Sequence, residues 1–151
     1  MTLAELENIL PNGLHDAELH SYAVDYAQQK LVLELTVWVG KMEDPIASRE
    51  AYRKGRIEIS GLLFLAVEAP DADYPYGKSS PLTIDSCDMT KNLEPALLKS
   101  LPNDVFLRSI WINEWNAFMH VAARNAAIDW VGETLVRTRS NTEAKSQKLR
   151  S

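Results

Sequence analysis

One cysteine, three histidines and no long apolar run in 151 residues mark out what this chain lacks. The lone Cys87 excludes an intramolecular disulfide and suits a reducing compartment. The longest stretch free of charged and strongly polar groups runs from about Ile59 to Val67, far below the roughly 20 residues that span a bilayer. The first ten residues, MTLAELENIL, are acidic where a signal peptide is basic and then apolar. A cytoplasmic protein is expected, with no membrane partner. Six glycines and seven prolines are too few for a low-complexity chain.

Basic residues are also in deficit, 16 against 21 acidic ones, for a net charge of -5. The imbalance is uneven. Beyond Gly132, Arg137, Arg139, Lys145, Lys148 and Arg150 outnumber Glu133 and Glu143, a net of +3 that leaves -8 for residues 1–132. An acidic body repels a phosphate backbone, so no nucleic-acid partner is expected. It suits a basic protein partner, because complementary potentials speed encounter. The plainer reading is that acidity serves solubility.

What is present is alternation. Over Leu31–Val39, residues Leu31, Leu33, Leu35, Val37 and Val39 share one face and Glu34 and Thr36 the other, the mark of a half-buried strand. Before it, Ala17–Tyr26 reads as a first strand that alternates poorly. Tyr22, Val24 and Tyr26 fall on one face, Leu19 and Ala23 on the other. Thr2-Leu3-Ala4-Glu5 is a capping box that opens a helix over Leu3–Leu10, stopped by Pro11 and Gly13. A third strand is expected over Arg56–Val67, with Gly61 marking a bulge or close contact. Further strands are expected at Leu82–Asp85 and Val105–Asn113, and a second helix, capped by Asn92, over Leu93–Leu101.

The segment from Trp115 to Val131 fits two descriptions. As strands, Ala117–Ala123 and Ala126–Val131 would form a hairpin around Arg124-Asn125. As a helix it would be amphipathic. The hairpin is preferred. Trp111, Trp115, Trp130 and Phe118 are expected in the main core. Most connections are too short for crossover helices, which favours antiparallel meanders. The expected class is α+β, mainly antiparallel β: a twisted sheet, sandwich or partly closed barrel with two short helices. Residues 1–132 form one globular domain in this reading, and 133–151 a basic, partly disordered C-terminal tail.

Candidate chemistry is sparse. His15, Asp16, Glu18 and His20 are the densest group of potential ligands. On a strand, Asp16, Glu18 and His20 would project to one side at two-residue spacing. With His120 from a distant strand they could hold zinc or another divalent ion in a small hydrolase. The plainer reading has Asp16 turning the chain and His15 bonding to backbone. Asp85 and Asp88 flank Cys87 and oppose thiolate formation. Gly77-Lys78-Ser79 lacks the upstream glycine of a phosphate-binding loop, since Ala72 stands there. In the loop Ala69–Pro81, Tyr74 and Tyr76 could anchor a partner through apolar area and a hydroxyl.

Leu14-His15-Asp16-Ala17 and the alternating hairpin behind it resemble the start of several families of small, mostly uncharacterised bacterial proteins. Some of these are similar to immunity proteins of toxin systems. The segments Glu50–Arg56, Ile59–Phe64 and Trp115–Phe118 share that family-like character. The resemblance implies a bacterial origin and a binding role, and supplies no catalytic residue. His15-Asp16 also resembles the metal-binding pair of helical phosphohydrolases, but those set it in a helix bundle and this segment reads as β. The first expectation is therefore a binding protein that occludes a basic toxin through Glu43, Asp44, Asp71, Asp73, Tyr74 and Tyr76, with no cofactor. The metal-dependent hydrolase is the second, and a homodimer joined at a sheet edge the third.

Overall fold

The computed structural model describes residues 1–74, 81–88 and 93–137. Asn92, Gly77-Lys78-Ser79 and Tyr76 lie outside the described residues, as does the chain beyond Arg137. Among the described residues the protein is mainly one antiparallel sheet with three short helices.

Helix α1 (Leu3–Ile9) starts at the expected capping box: Thr2 Oγ1 accepts from the Glu5 amide and Glu5 from the Thr2 amide. Leu3 and Leu6 are buried in the core, while Ile9 turns outward. The strands are β1 (Ala17–Asp25), β2 (Lys30–Trp38), β3 (Ala51–Ser60), β4 (Phe64–Val67), β5 (Leu82–Cys87), β6 (Phe106–Ile112), β7 (Ala117–Ala123), β8 (Asn125–Trp130) and β9 (Leu135–Val136). Their order across the sheet is β4-β7-β6-β5-β1-β2-β3-β8, with β9 on β3. Helix α2 (Ile46–Arg49), a single turn without a capping signal, interrupts the β2–β3 connection, and α3 (Pro95–Ser100) precedes β6.

Alternation along β2 is realised as expected. Leu31, Leu33, Leu35 and Val37 are all 0–1% exposed and meet Ile57, Ile59, Ile84, Ile110, Ile112 and Met119 in the core. The irregular alternation of β1 has a different cause. Leu19 pairs with Leu35 and Ser21 with Glu34, so His20 is an extra residue, a β-bulge. Past it the faces exchange. Tyr22 and Val24 stand opposite Leu33 and Leu31, on the same side as Leu19.

The sheet is not closed into a barrel. Its ends, β4 and β8, share no ladder. Two bends fold it over instead. β3 runs into β4 through Gly61, whose φ of +62° is left-handed, and β7 runs into β8 through Arg124. The strand reading of residues 117–130 therefore holds, but the hairpin does not. β7 pairs with β6 and β4, and β8 pairs with β3. Arg124 is a corner, tied by its amide to the Ser60 carbonyl. The true hairpin is β6–β7, turned at Asn113–Asn116 with Asn116 at φ +50°.

Trp115 and Trp130 pack on the core margin, while Trp111 and Phe118 meet edge to face on the opposite side of the sheet. The chain after Gly132 returns to the body. β9 pairs with Ala51 and Tyr52, and Arg137 lies over the Tyr52 ring. No helix of the described residues is long and apolar enough to cross a membrane.

Candidate functional site

The turn between α1 and β1 sets His15 and Asp16 against the far end of β5. Asp16 has a φ of +53°, a left-handed conformation that Asp tolerates because its short side chain bonds locally. The His15 ring lies between two carboxylates. Its Nδ1–H donates to Asp85 Oδ1 at 2.6 Å, and its Nε2 is 3.4 Å from Asp16 Oδ2. The hydrogen bond to Asp85, with the charges of Asp85 and Asp16, raises the His15 pKa above its ordinary value.

His15 and Asp85 border a polar cleft of about 330 Å³ whose other walls include Glu7, Asn12, Ser86 and Arg108. Glu7 and Arg108 form an ion pair at its base, 2.6 Å apart, with side chains only 8% and 14% exposed. The pair lacks hydrogen-bond alignment at Glu7 Oε2. Arg108 gains an aligned bond from Nε to Ser86 Oγ at 2.8 Å and an ion pair with Asp88. Asn12 fastens the rim to the β2 end by donating to the Trp38 and Gly40 carbonyls at 3.1 and 2.6 Å. Four carboxylates, those of Glu7, Asp16, Asp85 and Asp88, thus surround one guanidinium and one imidazole.

The structure does not bring Asp16, Glu18, His20 and His120 together. The bulge at His20 breaks the two-residue spacing, and Asp16 lies in the turn before β1. Glu18 is gripped by Arg137, with contacts of 2.7 and 3.0 Å. His20 shares a hydrogen bond with Thr36 Oγ1 at 2.7 Å. His120 is 1% exposed, with Nδ1 2.8 Å from Ser109 Oγ and Nε2 3.5 Å from Glu68 Oε2. That serine–histidine–glutamate order resembles a hydrolytic triad, but Ser109 is 0% exposed and beyond the reach of a substrate. It stabilises a buried imidazole. Cys87 is a half-buried free thiol.

The anticipated contact residues divide between two loops. Asp44 accepts from the Lys41 amide, and Asp71 from the Asp73 amide. Tyr74 packs edge-on against Trp115, with ring centroids 5.8 Å apart. The 41–45 loop follows β2, whose end lies beside the start of β1. The 71–74 segment is bound to Trp115 in the β6–β7 turn, at the opposite end of the strands. Sequence reasoning passed over Glu7, Asp85 and Arg108. Each is separated from its partner by many residues, and only the one-charge-per-strand pattern in Leu82–Cys87 and Phe106–Ile112 hinted at them.

No family model matches the chain, and no curated protein matches it. A solved structure, the crystal structure of an uncharacterized protein from Neisseria gonorrhoeae, is 13% identical, with a TM-score of 0.38 over 76% of this chain and 91% of that one. A likeness so remote says nothing about what this chain does.

Proposed function

We propose that this is a binding protein that docks a basic protein segment at the end of the sheet where β1 starts. The carrying observation is the open carboxylate rim of the cleft. Asp16, Asp85 and Asp88 have side chains 54%, 41% and 90% exposed. The 41–45 loop extends that rim from Gly40, which Asn12 holds. It adds Glu43 together with Met42, 58% exposed, and α2 adds Ile46, 79% exposed. Acidic groups beside exposed apolar side chains suit a partner that carries Lys or Arg around an apolar centre. A cytoplasmic setting with a lone free thiol accords with this reading. An inhibitor of the immunity type would act here by occlusion, covering the basic cleft of its target without chemistry of its own. Asp71, Asp73 and Tyr74 stand at the other end of the strands and take no part.

The test is affinity capture from the native host at low and at high salt, comparing the wild type with Asp16→Lys/Asp85→Lys and Asp71→Lys/Asp73→Lys. A basic protein captured stoichiometrically at low salt, and lost from the first variant alone, is the expected result. Capture indifferent to the Asp16/Asp85 reversal would sink the proposal.

A further inference from the structure

The His15 cluster has a property that a docking role does not require. Asp85 accepts from Nδ1, which leaves the lone pair of the neutral ring on Nε2. Nε2 faces Asp16 Oδ2 at 3.4 Å. In the neutral ring these are two acceptors facing each other, a gap that a proton or a metal cation can bridge. The separation is close to the roughly 3.3 Å that ligand atoms about 2.0–2.1 Å from a tetrahedral zinc ion adopt. A carboxylate on the far nitrogen of a metal-bound histidine is also the usual outer partner, because it fixes the tautomer and raises ligand basicity. One donor atom from each of His15, Asp16 and Asp85 lies within 4.8 Å of the others.

We propose that His15 Nε2 and Asp16 bind a divalent transition-metal ion of the zinc type, with Asp85 positioning the imidazole. The mixed nitrogen and oxygen donors favour zinc over calcium, which takes oxygen ligands. The surroundings agree in sign. Glu7, nine-tenths buried, and Asp88 add negative charge near the site, and both pair with Arg108. With two donors on the protein, the remaining coordination positions belong to water or to a ligand. The site needs no protein partner, so it stands or falls separately from the docking proposal.

The experiment is calorimetric titration of chelator-stripped protein with zinc chloride, repeated with calcium chloride, alongside NMR of the histidine ring resonances. One zinc ion per chain is expected, with the His15 resonances moved first and calcium at least tenfold weaker. Asp16→Asn and His15→Ala remove donors and should each weaken zinc binding tenfold or more. Asp85→Asn leaves both donors in place and should weaken it by about 10-fold or more through the lost orientation. Circular dichroism checks that each variant is folded, and Asp71→Asn/Asp73→Asn is the acidic control expected to bind like the wild type. No zinc binding, binding unchanged in Asp16→Asn, or first movement of His20 or His120 would each overturn the proposal.

Discussion

At His15 the chain presses two carboxylates onto one imidazole, and the consequence is a proton held more tightly than usual. Asp85 supplies the larger share through its hydrogen bond, and Asp16 adds charge. The sign for stability follows. A raised folded-state pKa stabilises the protein fully below the unfolded value near 6.5, and that contribution is lost as pH rises through the folded value. The ring is 60% exposed, so solvent screens the effect and it is read best as a titration. In metal-free protein, NMR should place the His15 midpoint above 6.5, and Asp85→Asn should bring it down. A midpoint that ignores Asp85→Asn would show that the short contact does not persist in solution. The paired carboxylates were half legible. Asp16 is adjacent in sequence, but Asp85 lies 70 residues away and reaches His15 only because β5 pairs with β1.

Among the elements, corners decide the architecture more than strands do. Strand β2 was legible because strict alternation permits one buried face, and a slip of one residue would expose every leucine on it. Corners leave a weaker trace. The bulge at His20 shows in the sequence only as faulty alternation, which also describes a strand covered on both sides. Arg124-Asn125 suggests a tight turn by composition, yet β8 continues from β7 onto a different neighbour. Gly61 is the corner residue that the sequence marks, as a bulge or a close contact, and its geometry shows why. Its φ is +62°, and an added Cβ would lie 2.8 Å from the Cβ of Arg124, an atom that cannot swing aside. Gly61→Ala should therefore cost about 2 kcal/mol, combining left-handed strain with overlap at the bend. Gly132 has nothing within 4 Å of its would-be Cβ, so Gly132→Ala should stay within about 0.5 kcal/mol of the wild type. Urea denaturation of both variants compares them directly. Equal stability would mean that the bend relaxes at no cost.

On the scale of the whole molecule, both described ends of the chain are stitched to the folded sheet. Ala126 donates to the Met1 carbonyl, and the Arg137 amide donates to Glu50. Charge counting separated a body from a basic tail at Gly132, because composition changes there. Composition does not reveal that Leu135 and Val136 complete the margin of β3. Nor does it show that Arg137 spans 119 residues to Glu18. The anchor joins three elements: the Arg137 guanidinium grips Glu18 of β1 with two nitrogens and lies 3.9 Å from the ring centre of Tyr52 on β3. Burial, with help from Glu50, pushes the Tyr52 phenol up to about 12. A folded-state value above the unfolded 10 means that stability holds below pH 10 and is lost progressively between there and 12. Arg137→Ala should cost about 2 kcal/mol, since it removes a two-pronged charge-assisted pair with the largely buried Glu18. Arg137 lowers the Tyr52 pKa by its charge, and without it Glu18 and Glu50 act unopposed, so the midpoint should move further up on its removal. Ultraviolet titration of the wild type and Arg137→Ala, with Tyr52→Phe to identify the signal, measures that movement. A Tyr52 midpoint that falls toward 10 without Arg137 would mean that the returning chain, rather than the sheet, buries the phenol.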